Sequence, residues 1–128
     1  MKKKYLIVIA DYYKDISKGL LSSALSLIPK SNIIKIISVP GVFEIPVTIS
    51  KNIKRFDGFI AIGCVIKGKT AHFDLISKSV IDGIMDISIE SKKPVSNCIL
   101  TCFNYKQAVA RKDKGKEAAL AINSILSQ

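Results

Sequence analysis

The sequence predicts an α/β protein: a three-layer αβα sandwich built on a four-stranded parallel sheet with strand order 2-1-3-4. Apolar stretches of strand length alternate along the chain with stretches of helical periodicity. Strands separated by helices pair in parallel through right-handed crossovers, and continuously apolar strands are typical of a sheet that is covered on both faces. At 128 residues, the chain is expected to form one domain, residues 1–128, without a repeat or linker.

The first half of the chain predicts two strands and two helices. Residues 5–10 and 33–39 are apolar stretches of strand length, and residues 16–28 have the periodicity of a helix. The apolar face of that helix would comprise Ile16, Leu20, Ala24 and Leu27. Residues 43–54 show a weaker helical pattern, in which Pro46 is tolerable only in the first turn because proline lacks an N–H.

The second half continues the alternation. Residues 59–65 and 95–101 are predicted as the third and fourth strands, with a long helix between them. Residues 104–111 and 114–126 are predicted as two final helices, separated by a break near Asp113. Every strand is thus followed by a helix, as the layered architecture requires.

The long helix carries two apolar stripes. The first, which we expect to pack on the sheet, comprises Phe73, Ile76, Val80, Ile84 and Ile87. The second stripe is turned by about 100° from the first and comprises Ile81, Met85 and Ile89. A helix with two apolar sides needs a second covering surface, which either the C-terminal helices or a neighbouring subunit could supply.

Charge and composition limit the classes of function. The net charge of +10 raises nucleic acid as a partner, but the basic residues are 18 lysines and 2 arginines, scattered over the chain. Because base reading and phosphate clamping rely mainly on arginine, a solvated surface is favoured and no nucleic-acid partner is expected. A small lysine-rich nucleic-acid-binding module stays an alternative.

No stretch approaches the length needed to span a membrane, so no membrane partner is expected. Residues 5–10 follow three lysines, but they are too few for the apolar part of a signal peptide, and we expect a cytoplasmic protein. Three cysteines (Cys64, Cys98 and Cys102) and one histidine form no zinc pattern. No metal is therefore expected. Because Cys64 and Cys98 fall in apolar stretches of strand character, we expect them to be buried free thiols.

Residues 63–74, G-C-V-I-K-G-K-T-A-H-F-D, join a predicted strand to the long helix through a short glycine-containing turn. The N–H groups and dipole of such a helix start favour an anion. Thr70 can cap the helix, and Asp74 lies in its first turn. His72, the single histidine, could move protons near neutral pH. The turn lacks P-loop spacing, and a histidine here could equally be an ordinary surface residue.

Several polar and aromatic residues follow the ends of the predicted strands. A flavodoxin-like sandwich has the predicted strand order, and ligands bind such sheets beyond the carboxyl ends of the strands. Tyr12, residues 41–44, residues 66–72 and Thr101 all lie at those ends. We therefore expect them to converge on one site, although they are far apart in sequence.

Five segments together resemble the lumazine synthase family, and they occur in the order found in that family. They are V-P-G-V-F-E-I-P (39–46), G-C-V-I-K-G-K-T-A-H-F-D (63–74), L-T (100–101), Q-A-V-A-R (107–111) and D-K-G-K-E-A-A (113–119). The resemblance covers nearly the whole chain. It implies a cofactor-free condensation of 5-amino-6-(ribitylamino)uracil with 3,4-dihydroxy-2-butanone 4-phosphate. The products would be 6,7-dimethyl-8-ribityllumazine, the penultimate compound of riboflavin biosynthesis, and phosphate.

The resemblance also implies roles for individual residues. His72 matches the proton-transfer histidine, while Lys69 and Thr70 match the phosphate-binding turn. Arg111 matches an arginine that clamps the same phosphate. Tyr12 matches an aromatic residue that stacks on the pyrimidine. The ribityl chain would be held by Val42, Phe43 and Glu44. The pyrimidine edge would meet backbone groups of Cys64, Val65 and Ile66. Asn97 stands where many members have phenylalanine at a subunit boundary.

The family resemblance further implies a homopentamer whose sites lie between subunits. The segment after Arg111 shrinks to Lys112-Asp113, whereas shell-forming members have a longer kinked segment there. We therefore expect pentamers that do not go on to a sixty-subunit shell. Two other readings stay open on this fold: an archaeal-type riboflavin synthase, and a flavin-binding or signalling domain.

Overall fold

A computed structural model describes residues 2–128, in which strands and helices alternate. The strands are β1 (Lys4–Ala10), β2 (Ile33–Val39), β3 (Gly58–Ile66) and β4 (Val95–Cys102). The helices are α1 (Lys14–Leu25), α2 (Ile45–Lys51), α3 (His72–Ser91), α4 (Tyr105–Ala110) and α5 (Gly115–Leu126). Single 3-10 turns precede α2 and α5, at Val42–Glu44 and Lys112–Lys114.

The four strands form one parallel sheet in the order β2-β1-β3-β4. Val8 of β1 pairs with Ile37 on one side and with Ala61 on the other, so β1 lies inside the sheet. β3 is likewise inside, between β1 and β4. The predicted flavodoxin-like architecture and strand order are confirmed. All carboxyl ends consequently meet at one edge of the sheet, where a site is expected.

Helices cover both faces of the sheet. Leu20 of α1 and Ile122 of α5 are fully buried in the core on one face, together with Ile7 of β1. Ile45 of α2 and Val80 of α3 are buried in the core on the other face. Since successive strand side chains point to opposite faces, a strand covered on both sides must be apolar, as β3 is throughout and β1 is after its exposed first residue, Lys4.

The second strand departs from the expected burial. Ile33 and Ile36 of β2 are 46% and 44% exposed, so the expectation of continuous burial is wrong for this strand. The reason is position in the sheet, since β2 has a neighbour on one side only among the described residues. Apolar composition therefore predicts a strand but does not distinguish a central strand from an edge.

The first helix is displaced from its predicted bounds. It begins two residues earlier, at Lys14, and ends at Leu25 rather than at residue 28. Ile16, Leu20 and Ala24 are fully buried as predicted, but Leu27 lies beyond the helix end and is 36% exposed. The predicted face is therefore correct for three of its members and wrong for Leu27.

The segment predicted as a helix over residues 43–54 is a 3-10 turn followed by the shorter α2. Pro46 lies in the first turn of α2, as required. Beyond the helix, the ammonium of Lys93 donates to the carbonyls of Ile53 and Phe56 at 2.7 and 2.9 Å. A side chain therefore supplies hydrogen bonds to carbonyls in the connection that follows α2.

The two stripes of α3 have different surroundings. Val80 and Ile84 are buried against the sheet, and the other members of the first stripe pack beside them, as predicted. Met85 and Ile89 of the second stripe are 56% and 67% exposed. Since α4 and α5 pack on the opposite face of the sheet, covering by the C-terminal helices is wrong for Met85 and Ile89. Ile81, the third member, is half-buried and borders a cavity that Arg111 and Lys114 also line. No helix among residues 2–128 combines the length and apolar character needed to cross a bilayer.

Candidate active site

A cavity of about 370 Å³ opens at the carboxyl ends of β1 and β3, and we call it the β1–β3 pocket. Its lining comprises Ala10, Tyr12, Tyr13, Gly41, Val42, Phe43, Cys64, Val65, Ile66, His72 and Ile76. Parallel pairing brings the ends of the two strands together, so segments distant in sequence share one cavity. Seven of the predicted site residues meet here: Tyr12, Val42, Phe43, Cys64, Val65, Ile66 and His72.

Close packing at Gly63 shapes the floor of the β1–β3 pocket. A Cβ atom at Gly63 would stand 2.5 Å from Cγ1 of Val42, which is well inside contact distance. The missing side chain lets the Val42–Glu44 turn approach β3 closely. The turn can therefore form a wall of the pocket.

Aromatic rings form much of the opening. Tyr12 is 76% exposed, and its ring meets that of Tyr13 edge to face, with centroids 4.9 Å apart. Phe43 lines the same cavity and is 61% exposed. Exposed rings beside a cavity offer stacking surface to a planar ligand. Sequence reasoning did not single out Tyr13, and its position next to Tyr12 was the available signal.

The thiol of Cys64 is expected to be unreactive near neutral pH. Burial, together with the neighbouring Cys102 thiol, raises the pKa of Cys64 to about 12. The pKa of Tyr13 is also raised, first by burial and then by the nearby Tyr12 and Cys64. Because only a thiolate is a strong nucleophile, Cys64 contributes packing and backbone groups near neutral pH. All three cysteines are free and buried, which confirms the prediction made for Cys64 and Cys98.

His72 is the first residue of α3, and it is an exposed residue that lines the β1–β3 pocket. Its backbone N–H donates to Oγ1 of Thr70 at 3.3 Å, while Ala71 occupies the N-cap position. Thr70 therefore satisfies the first N–H of the helix from outside, instead of capping it from the N-cap position as predicted. Lys69 and Thr70 are exposed beside the pocket and, among residues 2–128, are not part of its lining.

Glu44 lies at the border of the same pocket. A Cβ atom placed at Gly41, which lines the pocket, would stand 3.3 Å from Oε1 of Glu44. The carboxylate thus lies over Gly41 as an acceptor at the pocket edge, next to Phe43. This position agrees with a role in holding hydroxyl groups at the opening.

A second cavity, of about 210 Å³, lies along the free edge of β4, and we call it the β4-edge pocket. Asn97 and Arg111 line it, together with Thr101 and Lys114. The guanidinium of Arg111 donates to the carbonyl of Gln107 at 2.9 Å. The side-chain oxygen of Asn97 accepts from the backbone of Ile99 at the same distance. Lys114 belongs to the densest basic group of the sequence, residues 111–116, whose charge suits a small phosphorylated ligand or simple solvation.

Helix α1 holds the turn that carries these cations. The hydroxyl of Ser23 donates to the carbonyl of Lys112 at 3.2 Å. A Cβ atom at Gly115 would stand 2.1 Å from the carbonyl oxygen of Leu20, so only glycine permits this approach. Close packing against α1 therefore fixes the segment between Arg111 and Lys114.

The predicted site is thus divided between two cavities. Within residues 2–128, neither Asn97 nor Arg111 lines the β1–β3 pocket. Thr101 lines the β4-edge pocket together with them. The expectation that every strand end contributes to one cavity is wrong for Thr101. β4 lies outside β3 in the sheet, and Asn97 and Thr101 are exposed residues of this edge strand.

Comparison with known proteins agrees with the resemblance seen in the sequence. The sequence profile of the family described as 6,7-dimethyl-8-ribityllumazine synthase matches residues 2–128. A protein of that name from Bartonella henselae is 42% identical over 130 residues, covering 94% of this chain and 84% of the relative. The Bartonella bacilliformis protein of that name is 40% identical over 117 residues, covering 88% and 77%. The Limosilactobacillus reuteri protein of that name is 36% identical over 126 residues, covering 94% and 83%.

Proposed function

The chain belongs to the 6,7-dimethyl-8-ribityllumazine synthase family, and we propose from this premise the reaction that it catalyses. It is a transferase that condenses 5-amino-6-(ribitylamino)uracil with 3,4-dihydroxy-2-butanone 4-phosphate. The products are 6,7-dimethyl-8-ribityllumazine, phosphate and water, and the reaction is the penultimate step of riboflavin biosynthesis. The observation that carries the proposal is a single cavity that combines exposed aromatic rings with His72 at the start of a helix.

The β1–β3 pocket would bind the pyrimidine substrate. Tyr12 would stack on the ring, and the backbone of Cys64, Val65 and Ile66 would meet its polar edge. The ribityl chain would lie along the turn formed by Val42, Phe43 and Glu44, with the carboxylate accepting from its hydroxyls. Support comes from the shared cavity and from the position of Glu44 over Gly41.

The phosphate of the second substrate would lie at the start of α3. Lys69, Thr70 and the first N–H groups of the helix supply positive potential there. Arg111 would add a bidentate contact, because a guanidinium presents two parallel donors to a phosphate. Support comes from the 20-residue length of α3 and from the exposure of Lys69 and Thr70 beside His72.

His72 would carry protons through three steps. The 5-amino group attacks the butanone carbonyl, and the resulting imine forms with loss of water. Phosphate then leaves as a proton is removed from the adjacent hydroxyl-bearing carbon, and the enol so formed takes up a proton at its terminal carbon to become a methyl ketone. The ribitylamino nitrogen finally attacks the second carbonyl, and a second water is lost on ring closure. An imidazole suits these transfers because it gives and takes protons near neutral pH.

We further propose that a complete site forms between two copies of the chain within a homopentamer. The β1–β3 pocket of one copy would face the β4-edge pocket of the next, which brings Arg111 and Asn97 to the substrates. Support comes from the division of the predicted site between two cavities. The exposed second stripe of α3 offers an apolar surface for subunit contact.

The reaction is tested by mixing both substrates with the purified protein and following lumazine absorbance and phosphate release together. Appearance of both in equal amounts supports the proposal, and absence of both with a correctly assembled protein overturns it. An archaeal-type riboflavin synthase would consume lumazine and release no phosphate. A nucleic-acid-binding module would instead bind DNA with a steep dependence on salt concentration. The family match favours neither alternative.

We also infer that residues 1–128 form a single domain, since the family profile extends over residues 2–128. A cytoplasmic location is proposed from the three free thiols, which a reducing compartment preserves. Cell fractionation followed by immunoblotting checks the location. Recovery with secreted proteins would contradict it.

A further inference from the structure

The connection that leads from β4 into the first residue of α4, residues 103–105, lies beside the β1–β3 pocket, although in the described chain it contributes nothing to the lining. We propose that this connection, the β4–α4 turn, is a positioning element for both halves of the pocket. Phe103 holds the segment that leads into α3, and Tyr105 holds the pair of tyrosines on the opposite side. The inference rests on the proposed function and adds two positioning residues to it.

Two reciprocal hydrogen bonds make the turn rigid. The side-chain oxygen of Asn104 accepts from the backbone N–H of Gln107 at 2.9 Å. The side-chain oxygen of Gln107 accepts in return from the backbone N–H of Phe103 at 2.8 Å. This arrangement is close to a capping box, which fixes the path of the chain as it enters a helix. The backbone on both sides of Asn104 is therefore held in one conformation.

Phe103 contacts both ends of the segment that carries His72. Its ring centroid lies 6.3 Å from that of Phe73, which follows His72 in the first turn of α3. The ammonium of Lys67, where the segment begins, stands 5.5 Å from the Phe103 centroid in a cation–π geometry. The backbone N–H of Lys67 also donates to the carbonyl of Cys102 at 2.9 Å.

Phe103 is not explained by core packing, since it is 65% exposed. A ring with so little burial stabilises the fold weakly. Its aromatic partner, Phe73, and its cation–π partner, Lys67, are the two ends of the segment from Lys67 to Phe73. Ordering that segment is consequently its main effect. The segment includes Lys69, Thr70 and His72, which are the groups proposed to meet the phosphate and to move protons.

Tyr105 acts on the other side of the pocket. Its ring centroid lies 6.3 Å from that of Tyr13, with the rings tilted by 55°. Tyr13 in turn meets Tyr12 edge to face at 4.9 Å. Tyr12 is 76% exposed, and this chain of ring contacts links the orientation of the stacking ring to Tyr13 and Tyr105.

Phe103 and Tyr105, which are separated by Asn104 alone, therefore support opposite walls of the pocket. Substitution of each residue should change the KM of a different substrate. Phe103→Leu should raise KM for the butanone phosphate and lower kcat, with a combined loss of about tenfold, because small errors of position are costly in a two-substrate reaction. Tyr105→Leu should raise KM for the pyrimidine by a similar factor and leave KM for the phosphate within about twofold.

Conservative and neutral variants complete the experiment. Phe103→Tyr and Tyr105→Phe keep the rings and should restore wild-type constants. Lys106→Ala, at the exposed position next to Tyr105, should change neither KM. Both aromatic positions are at least 46% exposed, so the leucine variants are expected to fold. If Phe103→Leu lowers the melting temperature of the protein, Phe103→Met is the milder substitution to test.

Amide hydrogen exchange supplies a readout that is independent of turnover. Residues 68–72 should exchange faster in Phe103→Leu but not in Tyr105→Leu. If both variants changed both KM values equally, or if exchange at residues 68–72 were unaffected, the turn would have no positioning role. A wild-type protein without activity would instead overturn the proposed function, and the exchange comparison would still decide whether Phe103 orders the segment.

Discussion

The β1–β3 pocket and the β4-edge pocket of one chain differ in the chemistry of their linings. The β1–β3 pocket is largely apolar and aromatic, with His72 at its border, whereas the β4-edge pocket is lined by Arg111, Lys114 and Asn97. An apolar cleft suits a flat heterocycle, and a pair of cations suits a phosphate. One copy therefore has a cavity suited to a heterocycle and a separate cavity suited to an anion. The proposed site between two copies would bring the two together.

Loss of the imidazole should have the largest effect on the β1–β3 pocket. His72→Ala is expected to slow lumazine formation by about 10- to 10,000-fold, the usual range for a positioned proton carrier. Activity should not vanish, because orientation of the two substrates supplies much of the rate. Steady-state absorbance measurements give the comparison. Ser79→Ala, at an exposed position of the same helix, is the matched control. Unchanged turnover in a folded His72→Ala protein would remove His72 from the chemistry.

Removal of the guanidinium tests the β4-edge pocket. Arg111→Ala should weaken binding of the butanone phosphate by about 1.5–3 kcal/mol, which is about ten- to 150-fold in KM. The pyrimidine KM should change little, since its ring is held in the other pocket. Arg55, the other arginine of the chain, is exposed and is not among the residues that line the two pockets. Arg55→Ala is therefore the control. Equal weakening of both substrates would indicate a structural role for Arg111.

Mixed oligomers test whether the two pockets meet between chains. If each site takes His72 from one copy and Arg111 from the next, random mixing of His72→Ala and Arg111→Ala chains restores about one site in four. The two variants are unfolded together, refolded in equal amounts, and assayed against each variant alone. Activity that stays at the mean of the two variants would show that each site is built from one chain.

The second stripe of α3 should affect assembly more than chemistry. Ile89→Lys places a charge in the proposed subunit contact and should shift the protein towards smaller species, with a smaller effect on each site that still forms. Leu120→Lys changes an exposed leucine on α5, at the opposite face of the sheet, and serves as the control.

Native mass measurement on the wild type and these two variants reports the outcome. A wild type of five subunits supports the proposed ring, and a single subunit contradicts it. Sixty subunits would contradict the expectation that the short segment after Arg111 prevents shell formation. Equal behaviour of Ile89→Lys and Leu120→Lys would locate the contact elsewhere.

Most of the fold could be predicted because its signals are local. Apolar stretches bounded by turn residues predicted all four strands, and β2 has the predicted bounds, residues 33–39. The buried stripe of α3 followed from helical periodicity alone. The predictions that were wrong concern burial, which depends on neighbouring segments. Leu27 lies past the end of α1, and Ile33 is exposed because β2 is at an edge of the sheet.

The candidate site was determined in part by the sequence and in part by the tertiary structure. By itself, the sequence determined the family, the strand order and the position of His72 at the start of a helix, because motif order and periodicity are properties of the chain. Only the tertiary structure decided that Arg111 lies with Lys114 in a different cavity from His72. It also revealed Phe103 and Tyr105 beside the pocket. The reason is geometric: side-chain direction and strand position depend on packing between distant segments, which no local pattern records.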